Sequence, residues 1–207
     1  MSIASEVARH LLQIKAIRLN PQNPFTWASG IKSPIYCDNR MILSYPTTRN
    51  FIKEKLAEKS KDFDTFDVVA GVATAGIAHG MLLADALNVP FIYVRDKAKG
   101  HGRQNQIEGD LKPNSRVLVV EDLISTGGSS LKAVDVLKEA GGEVIGVLAI
   151  FTYGFEKADQ AFSNANCPLK TLSNYDALIP EAIENQYISD SDLNFLKSWR
   201  TEVGSSK

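Results

Sequence analysis

Apolar residues at helical spacing open the chain. Ile3, Val7, Leu11 and Ile14 within MSIASEVARHLLQIKAIRLN predict an amphipathic helix with those side chains inward. From Pro46, PTTRNFIKEKLAEKSK carries Phe51, Ile52 and Leu56 at the same period and predicts a second helix. The pattern then changes: FDVVAGV, from Phe66, is a short continuous apolar run that predicts a buried strand, followed by a glycine turn and a helix in ATAGIAHGMLLADALN. PFIYV (Pro90 to Val94) and SRVLVV (Ser115 to Val120) predict two further strands. SSLKAVDVLKEAGG predicts a helix with Ser129 or Ser130 as N-cap and a stop at Gly141, and EVIGVLAIF from Glu143 predicts a fourth strand. Apolar β-branched runs separated by helices predict an α/β fold with a mostly parallel sheet covered on both faces, because parallel strands need crossovers and hide both sides.

The 207 residues show no repeat, no low-complexity linker and no shift of composition, which predicts a single domain, 1–207. With 44% hydrophobic and 23% charged residues, and no run near the ~18 apolar residues of a membrane span, the chain reads as a soluble globular protein without a membrane partner. Its start lacks the apolar core and cleavage signal of a secretory peptide, which predicts a cytoplasmic location. Cys37 and Cys167 have no CxxC spacing and are expected as reduced, packed thiols. A net charge of -1 provides no global field for nucleic acid, so a polyanion must be met by a local cluster. One stands in YVRDKAKGHGRQNQIEGDL, where Arg95, Lys97, Lys99 and Arg103 crowd among glycines between two predicted strands. Its composition is too polar and glycine-rich to pack, which predicts a mobile loop whose cations could close over a diphosphate; taken singly, such a run is more often a solvated charged surface.

The stretch VLVVEDLISTGGSS, Val117 to Ser130, carries the chemistry. Ligands of such sheets sit beyond the carboxyl ends of the strands, and Glu121 and Asp122 fall at that end of a central strand. Ser125, Thr126, Gly127, Gly128 and Ser129 follow directly and precede a helix, offering backbone N–H groups and hydroxyls suited to a phosphate monoester. A ligand with hydroxyls for the acids and a phosphate a few ångströms away is a ribose 5-phosphate. The plain structural alternative is an acid pair that caps a helix beside a glycine turn. Neither GxxxxGK[ST] nor GxGxxG occurs at this strand end, which argues against nucleotide P-loops and dinucleotide folds.

Four apolar residues, Glu121-Asp122, two apolar residues and Ser125 to Ser129 resemble the phosphoribosyl diphosphate (PRPP) signature of type I phosphoribosyltransferases. The resemblance implies that family's fold, with the acids on the ribose 2- and 3-hydroxyls, the segment Leu123-Ile124-Ser125-Thr126-Gly127-Gly128-Ser129 around the 5-phosphate, and displacement of diphosphate at the anomeric carbon. Mg²⁺ is the implied cofactor, with no side chain assigned as its ligand. NPFTWASGIKSPIYCDNR, from Asn23, resembles the N-terminal hood (about 1–45) of orotate phosphoribosyltransferases, matching F-x-x-x-S-G-x-x-S-P-x-Y at Phe25, Ser29, Gly30, Ser33, Pro34 and Tyr36. Tyr36, Ser29, Gly30 and Ser125 are accordingly expected at the pyrimidine; a tight turn with core aromatics is the alternative for this segment taken alone.

The basic segment, about 95–111, resembles the R-x-K-x-K-x-H-G loop of orotate transferases, which reaches into the neighbouring subunit. That implies a homodimer in which Arg95, Lys99 and His101 act on the diphosphate in trans, His101 also being a candidate proton donor. Val72 to Gly76 resembles the family's diphosphate loop, placing Thr74 and Ala75 at the leaving group with a helix from Ile77 behind them. Some family members carry lysine where Ala28 and Ala75 stand and arginine where Tyr153 stands, which shifts cation supply to the loop from Arg95 to Arg103. His10 and His79 are assigned no chemistry. The activity implied is Mg²⁺-dependent transfer of ribose 5-phosphate from PRPP to N1 of orotate. Transfer to a purine base shares the PRPP motif; a PRPP-sensing regulator would lack the basic loop's catalytic purpose and need a DNA-binding module.

Overall fold

The structure is a computed structural model that describes residues 2–27, 29–97 and 106–205. Helix α1 (Ile3–Gln13) starts at Ser2, whose side chain accepts from the Ser5 N–H, and buries Val7, Ala8, Leu11 and Leu12. Four short strands follow: β1 (Ile17–Leu19), β2 (Phe25–Thr26), β3 (Lys32–Ser33) and β4 (Ile35–Cys37). They form two separate antiparallel ribbons, β1 with β4 and β2 with β3. A 3-10 helix, Asn39–Ser44, leads into α2 (Pro46–Ser60), with Pro46 at the position where its missing N–H costs nothing.

The main sheet begins with β5 (Val68–Val72), buried at every residue, then α3 (Ala75–Leu87), β6 (Phe91–Val94), β7 (Ile107–Glu108) and β8 (Arg116–Ile124). Helix α4 (Gly128–Glu139), β9 (Glu143–Thr152), α5 (Glu156–Asn164), β10 (Leu169–Asn174), α6 (Tyr175–Glu184) and α7 (Leu193–Ser205) complete it. The strand order is β10-β9-β8-β5-β6-β7, parallel except for β7 at the edge. The α/β class and the parallel sheet read from the sequence are what the chain forms. Alternation within each strand serves both faces: Val69, Leu118, Val120 and Leu148 join one apolar cluster with α1, α2, α3, α6 and α7, whereas Val68, Ala70, Val117, Val119 and Val147 join a second with α4 and α5. Val7 and Leu11 of α1 share the first cluster with Phe151 and Leu178, so the N-terminal helix is built into the sheet's own core.

Three local expectations are corrected. The strand SRVLVV continues to Ile124, because β9 pairs with it up to Ile124↔Thr152, and so carries both carboxylates within it. Neither Ser129 nor Ser130 caps α4; Gly127 holds the cap position at φ 81, a backbone conformation that serine would adopt only under strain. Helix α3 begins at Ala75, two residues before Ile77. Gly141, at φ 87, does follow the end of α4. Among the described residues no helix is long and apolar enough to cross a membrane.

Candidate active site

Glu121 and Asp122 lie in β8 between the first turns of α3 and α4. Glu121 is only 5% exposed. Its Oε1 accepts from the Asp122 N–H at 3.1 Å and its Oε2 from the Ser130 hydroxyl of α4 at 3.2 Å, which together fix the carboxyl. Helix α3 reaches this point because Gly76 has no side chain: a Cβ there would stand 2.5 Å from the Val120 carbonyl oxygen and 3.4 Å from Glu121 Oε1. The turn with Thr74 and Ala75 is thereby held against the acid pair. Gly71 and Gly80 extend the close approach, with a Cβ on Gly71 only 2.8 Å from the Gly76 carbonyl oxygen.

Beyond Asp122 the chain turns through half-buried Ser125 and exposed Thr126 into α4. Gly127 is required twice over, by its positive φ and because a Cβ would meet the Phe162 ring at 2.7 Å. Gly128 faces open space, with nothing within 4 Å of where a Cβ would stand, and Ser129 is exposed. The first N–H groups of a helix have no partner within it, so this end presents donors to an anion. A cavity of about 440 Å³ opens here, walled by Ala73, Arg95, Gln106, Gly128, Ser129 and Lys132.

The hood approaches from the other side. Asn39 is fully buried and its Nδ2 donates to the Asp122 carbonyl at 2.7 Å. Tyr36 lies half-buried in β4, its ring 5.8 Å from that of Phe25, with the Arg18 guanidinium over both rings. Ser29 and Gly30 lie at the exposed tip of the β2–β3 hairpin, where Gly30 N–H donates to the Trp27 carbonyl at 2.8 Å. Tyr153, at the end of β9, stacks on Trp27 with centroids 5.2 Å apart and is 3% exposed. The position is therefore an aromatic support for the hood; burial pushes its phenol well above the usual range.

The basic loop stands on a hairpin. Tyr93↔Glu108 and Val94↔Ile107 pair antiparallel, and Arg95 N–H donates to the Gln106 carbonyl at 2.8 Å. Arg95 also faces Glu108 at 3.5 Å. Lys99, His101 and Arg103 lie outside the described residues, as does Ala28. Glu121, Asp122, Thr74, Ala75 and the turn Ser125 to Ser129 thus gather at the carboxyl ends of β5 and β8, with Arg95 in the cavity wall.

The phosphoribosyl transferase domain matches residues 40–179. The chain is 56% identical over 201 residues to the orotate phosphoribosyltransferase of Listeria innocua, covering 97% of this chain and 96% of that one. It is 55% identical to that of Bacteroides thetaiotaomicron, over 94% of this chain and 92% of the relative. The chain belongs to the orotate phosphoribosyltransferases. In three dimensions it is similar to the crystal structure of orotate phosphoribosyltransferase from Aeropyrum pernix, with a TM-score of 0.75 at 30% identity over 87% of this chain and 97% of that chain.

Within this member of the family the acid pair is electrostatically strained. Burial, and then the neighbouring Asp122 charge, push Glu121 up to about 8, and burial also raises Asp122 against the opposing pull of Arg40. A divalent cation would relieve that repulsion, and two adjacent carboxylates are a hard-oxygen donor set that suits Mg²⁺. Among the described residues no group of three or more His, Cys, Asp or Glu side chains is placed to hold a metal.

Sequence reasoning missed Asn39, Ser130 and Arg40. Arg40 holds Asp38 through two bonds, at 2.7 and 3.0 Å, and its charge stabilises the Asp122 carboxylate. The signal was present in CDNR, polar residues directly after the hood motif, but nothing in the sequence linked them to Asp122, 83 residues from Asn39.

Proposed function

We propose that the protein transfers the 5-phosphoribosyl group of PRPP to N1 of orotate, forming orotidine 5-phosphate and diphosphate in pyrimidine nucleotide synthesis. The observation that carries this reading is the acid pair, Glu121 buried and Asp122 half-buried, held between two helix N-termini under an aromatic hood. Glu121 and Asp122 hold the ribose hydroxyls, while the backbone from Leu123 and Ile124 through Ser125, Thr126, Gly127 and Gly128 to Ser129 surrounds the 5-phosphate. Thr74 and Ala75 present the start of α3 to the diphosphate. Tyr36, Ser125, Ser29 and Gly30 orient the pyrimidine. The bond from the anomeric carbon to the diphosphate oxygen breaks with its electron pair leaving on diphosphate, the N1 bond forms on the opposite face, and the N1 proton of orotate passes to solvent water. With no covalent nucleophile, rate comes from holding both reactants in line and from charge placed where the diphosphate leaves.

Glu121 and Asp122 are the carboxylates nearest to where a substrate-borne Mg²⁺ would sit, and that ion, when bound, would supply charge neutralisation of the leaving group. Lys99, His101 and Arg95 add positive charge to it from the neighbouring subunit of a homodimer, and His101 can donate a proton. The absence of lysine at Ala75 supports this dependence on the loop. We place the reaction in the cytoplasm, where the free thiols of Cys37 and Cys167 stay reduced. Residues 1–207 work as one domain, with the hood of 1–45 forming the base side and the loop of 95–111 the lid.

Incubation with PRPP, Mg²⁺ and each of orotate, uracil, adenine and hypoxanthine, following diphosphate release, tests the substrate. Orotate alone should react, and release with a purine in its place would overturn the assignment. Mixing Lys99→Ala with Asp122→Ala homodimers tests the action in trans. Random exchange makes about half the dimers mixed, each with one intact site, so activity should recover to roughly a quarter of wild type. Exchange without recovery would place the loop over its own subunit.

A further inference from the structure

Two parts of the chain fall outside the matched domain of residues 40–179: the hood before Arg40 and the segment after Ile179. They meet. Trp199 of α7, 6% exposed, donates its indole N–H to the Lys32 carbonyl at 3.0 Å. Gln22 Nε2 donates to Asp192 Oδ1 at 2.9 Å just before α7. Between these ties the Trp27 ring stands edge-on to Trp199, with centroids 5.8 Å apart and planes at 90°, while its other neighbour is the stacked ring of Tyr153.

The hood needs such an anchor. Its ribbons pair over three and two residues only, and two-stranded ribbons of that size are not stable alone in water. Lys32 pairs with Thr26 in the hairpin, and the next residue, Ser33, donates its hydroxyl to the Ile35 carbonyl at 2.7 Å. The Trp27 indole N–H converges on that same carbonyl at 3.0 Å. A shift at Lys32 is therefore passed to the backbone that carries Tyr36. Helix α7 is itself braced: the Tyr175 hydroxyl donates to the Leu196 carbonyl at 3.2 Å, Arg200 pairs with Asp176 at 2.7 Å, and a Cβ on Gly204 would touch the Phe155 ring at 3.1 Å.

We infer that Trp199 is a positioning residue for the base: through the Lys32 carbonyl and the Trp27 ring, the C-terminal helix fixes the hood over the pyrimidine while leaving the PRPP loops untouched. The inference rests on the orotate reading for its substrate and on the contacts above for its geometry.

Trp199→Phe removes the indole donor and keeps an aromatic ring. The KM for orotate should rise about three- to tenfold, as expected for one lost hydrogen bond, with kcat and the KM for PRPP within about twofold of wild type. Gln22→Leu, which cuts the second tie, should act in the same direction. Amide hydrogen exchange needs no substrate: in Trp199→Phe it should accelerate over residues 25–36 and stay unchanged over 117–129. If hood exchange is unaffected, or if the two KM values rise together in a folded variant, α7 does not position the base. A wild-type protein that ignores orotate would instead strike the substrate assignment, and the exchange measurement would still decide the role of Trp199.

Discussion

Substituting Gly76 by Ala isolates the contact that holds α3 against the acid pair of the proposed phosphoribosyl site. In an ordinary exposed helix the change would stabilise by roughly 0.5–1 kcal/mol, because alanine gives up less backbone entropy. Here the new methyl stands 2.5 Å from the Val120 carbonyl oxygen, whereas ordinary contact begins near 3.4 Å, and the atom in the way is backbone that cannot rotate aside. Helix α3 must withdraw by several tenths of an ångström. Overpacking of this kind costs about 1–3 kcal/mol, which exceeds the helical gain and leaves a net loss on the order of 1 kcal/mol. The effect on activity should be much larger, because withdrawal carries Thr74 and Ala75 away from Glu121, and a misplacement near 1 Å can cost roughly 100-fold in rate. Urea unfolding followed by circular dichroism would measure the first quantity, and diphosphate release from PRPP and orotate the second. A Gly76→Ala protein with wild-type turnover would refute the claim that this approach sets the geometry of the site.

Glu121→Gln keeps shape and removes charge. In the wild type burial raises the carboxyl to about 8, so stability is lost as pH climbs from the normal carboxylate range through that value. The variant should therefore gain on wild type between pH 5 and pH 8; parallel urea midpoints at the two pH values would contradict the raised pKa. Asn39→Ala should cost about 1–3 kcal/mol in calorimetry and weaken PRPP binding, since it strips the buried Asp122 carbonyl of its donor; an unchanged melting temperature would show that contact to be idle. Lys99→Ala should lower turnover far more than PRPP affinity, because a contact to developing diphosphate charge counts in the transition state, and an unchanged kcat would exclude that role.

What the sequence disclosed follows from which forces act locally. The strands FDVVAGV and EVIGVLAIF were legible because burial on both faces demands uninterrupted apolar residues, and Glu121 to Ser129 stood out as a candidate site because acids, hydroxyls and glycines stand consecutively. The cap of α4 was misread because Ser129 and Ser130 have the usual capping chemistry, yet Ser130 is drawn to Glu121 and the turn geometry selects Gly127. The elements after β9 carried no assignment, although α5 has a well-segregated apolar face with Ala158 and Phe162 buried. Asn39 and Trp199 could not be found by spacing at all, since their partners Asp122 and Lys32 are brought near only by tertiary packing.

The ties that hold the hood also bear on the order in which the molecule is assembled. Ser173 Oγ donates to the Ala4 carbonyl at 2.7 Å, Gln22 meets Asp192, and Lys32 meets Trp199, across separations of 169, 170 and 167 residues. Strands β5, β8 and β9 can pair once the chain up to residue 152 is free to fold, whereas α1 and the hood wait for partners at the other end of the chain. Contacts so distant in sequence close late and slowly. During synthesis the apolar side chains of α1 therefore wait longest for cover, and the hood is the last part of the molecule to be fixed in place.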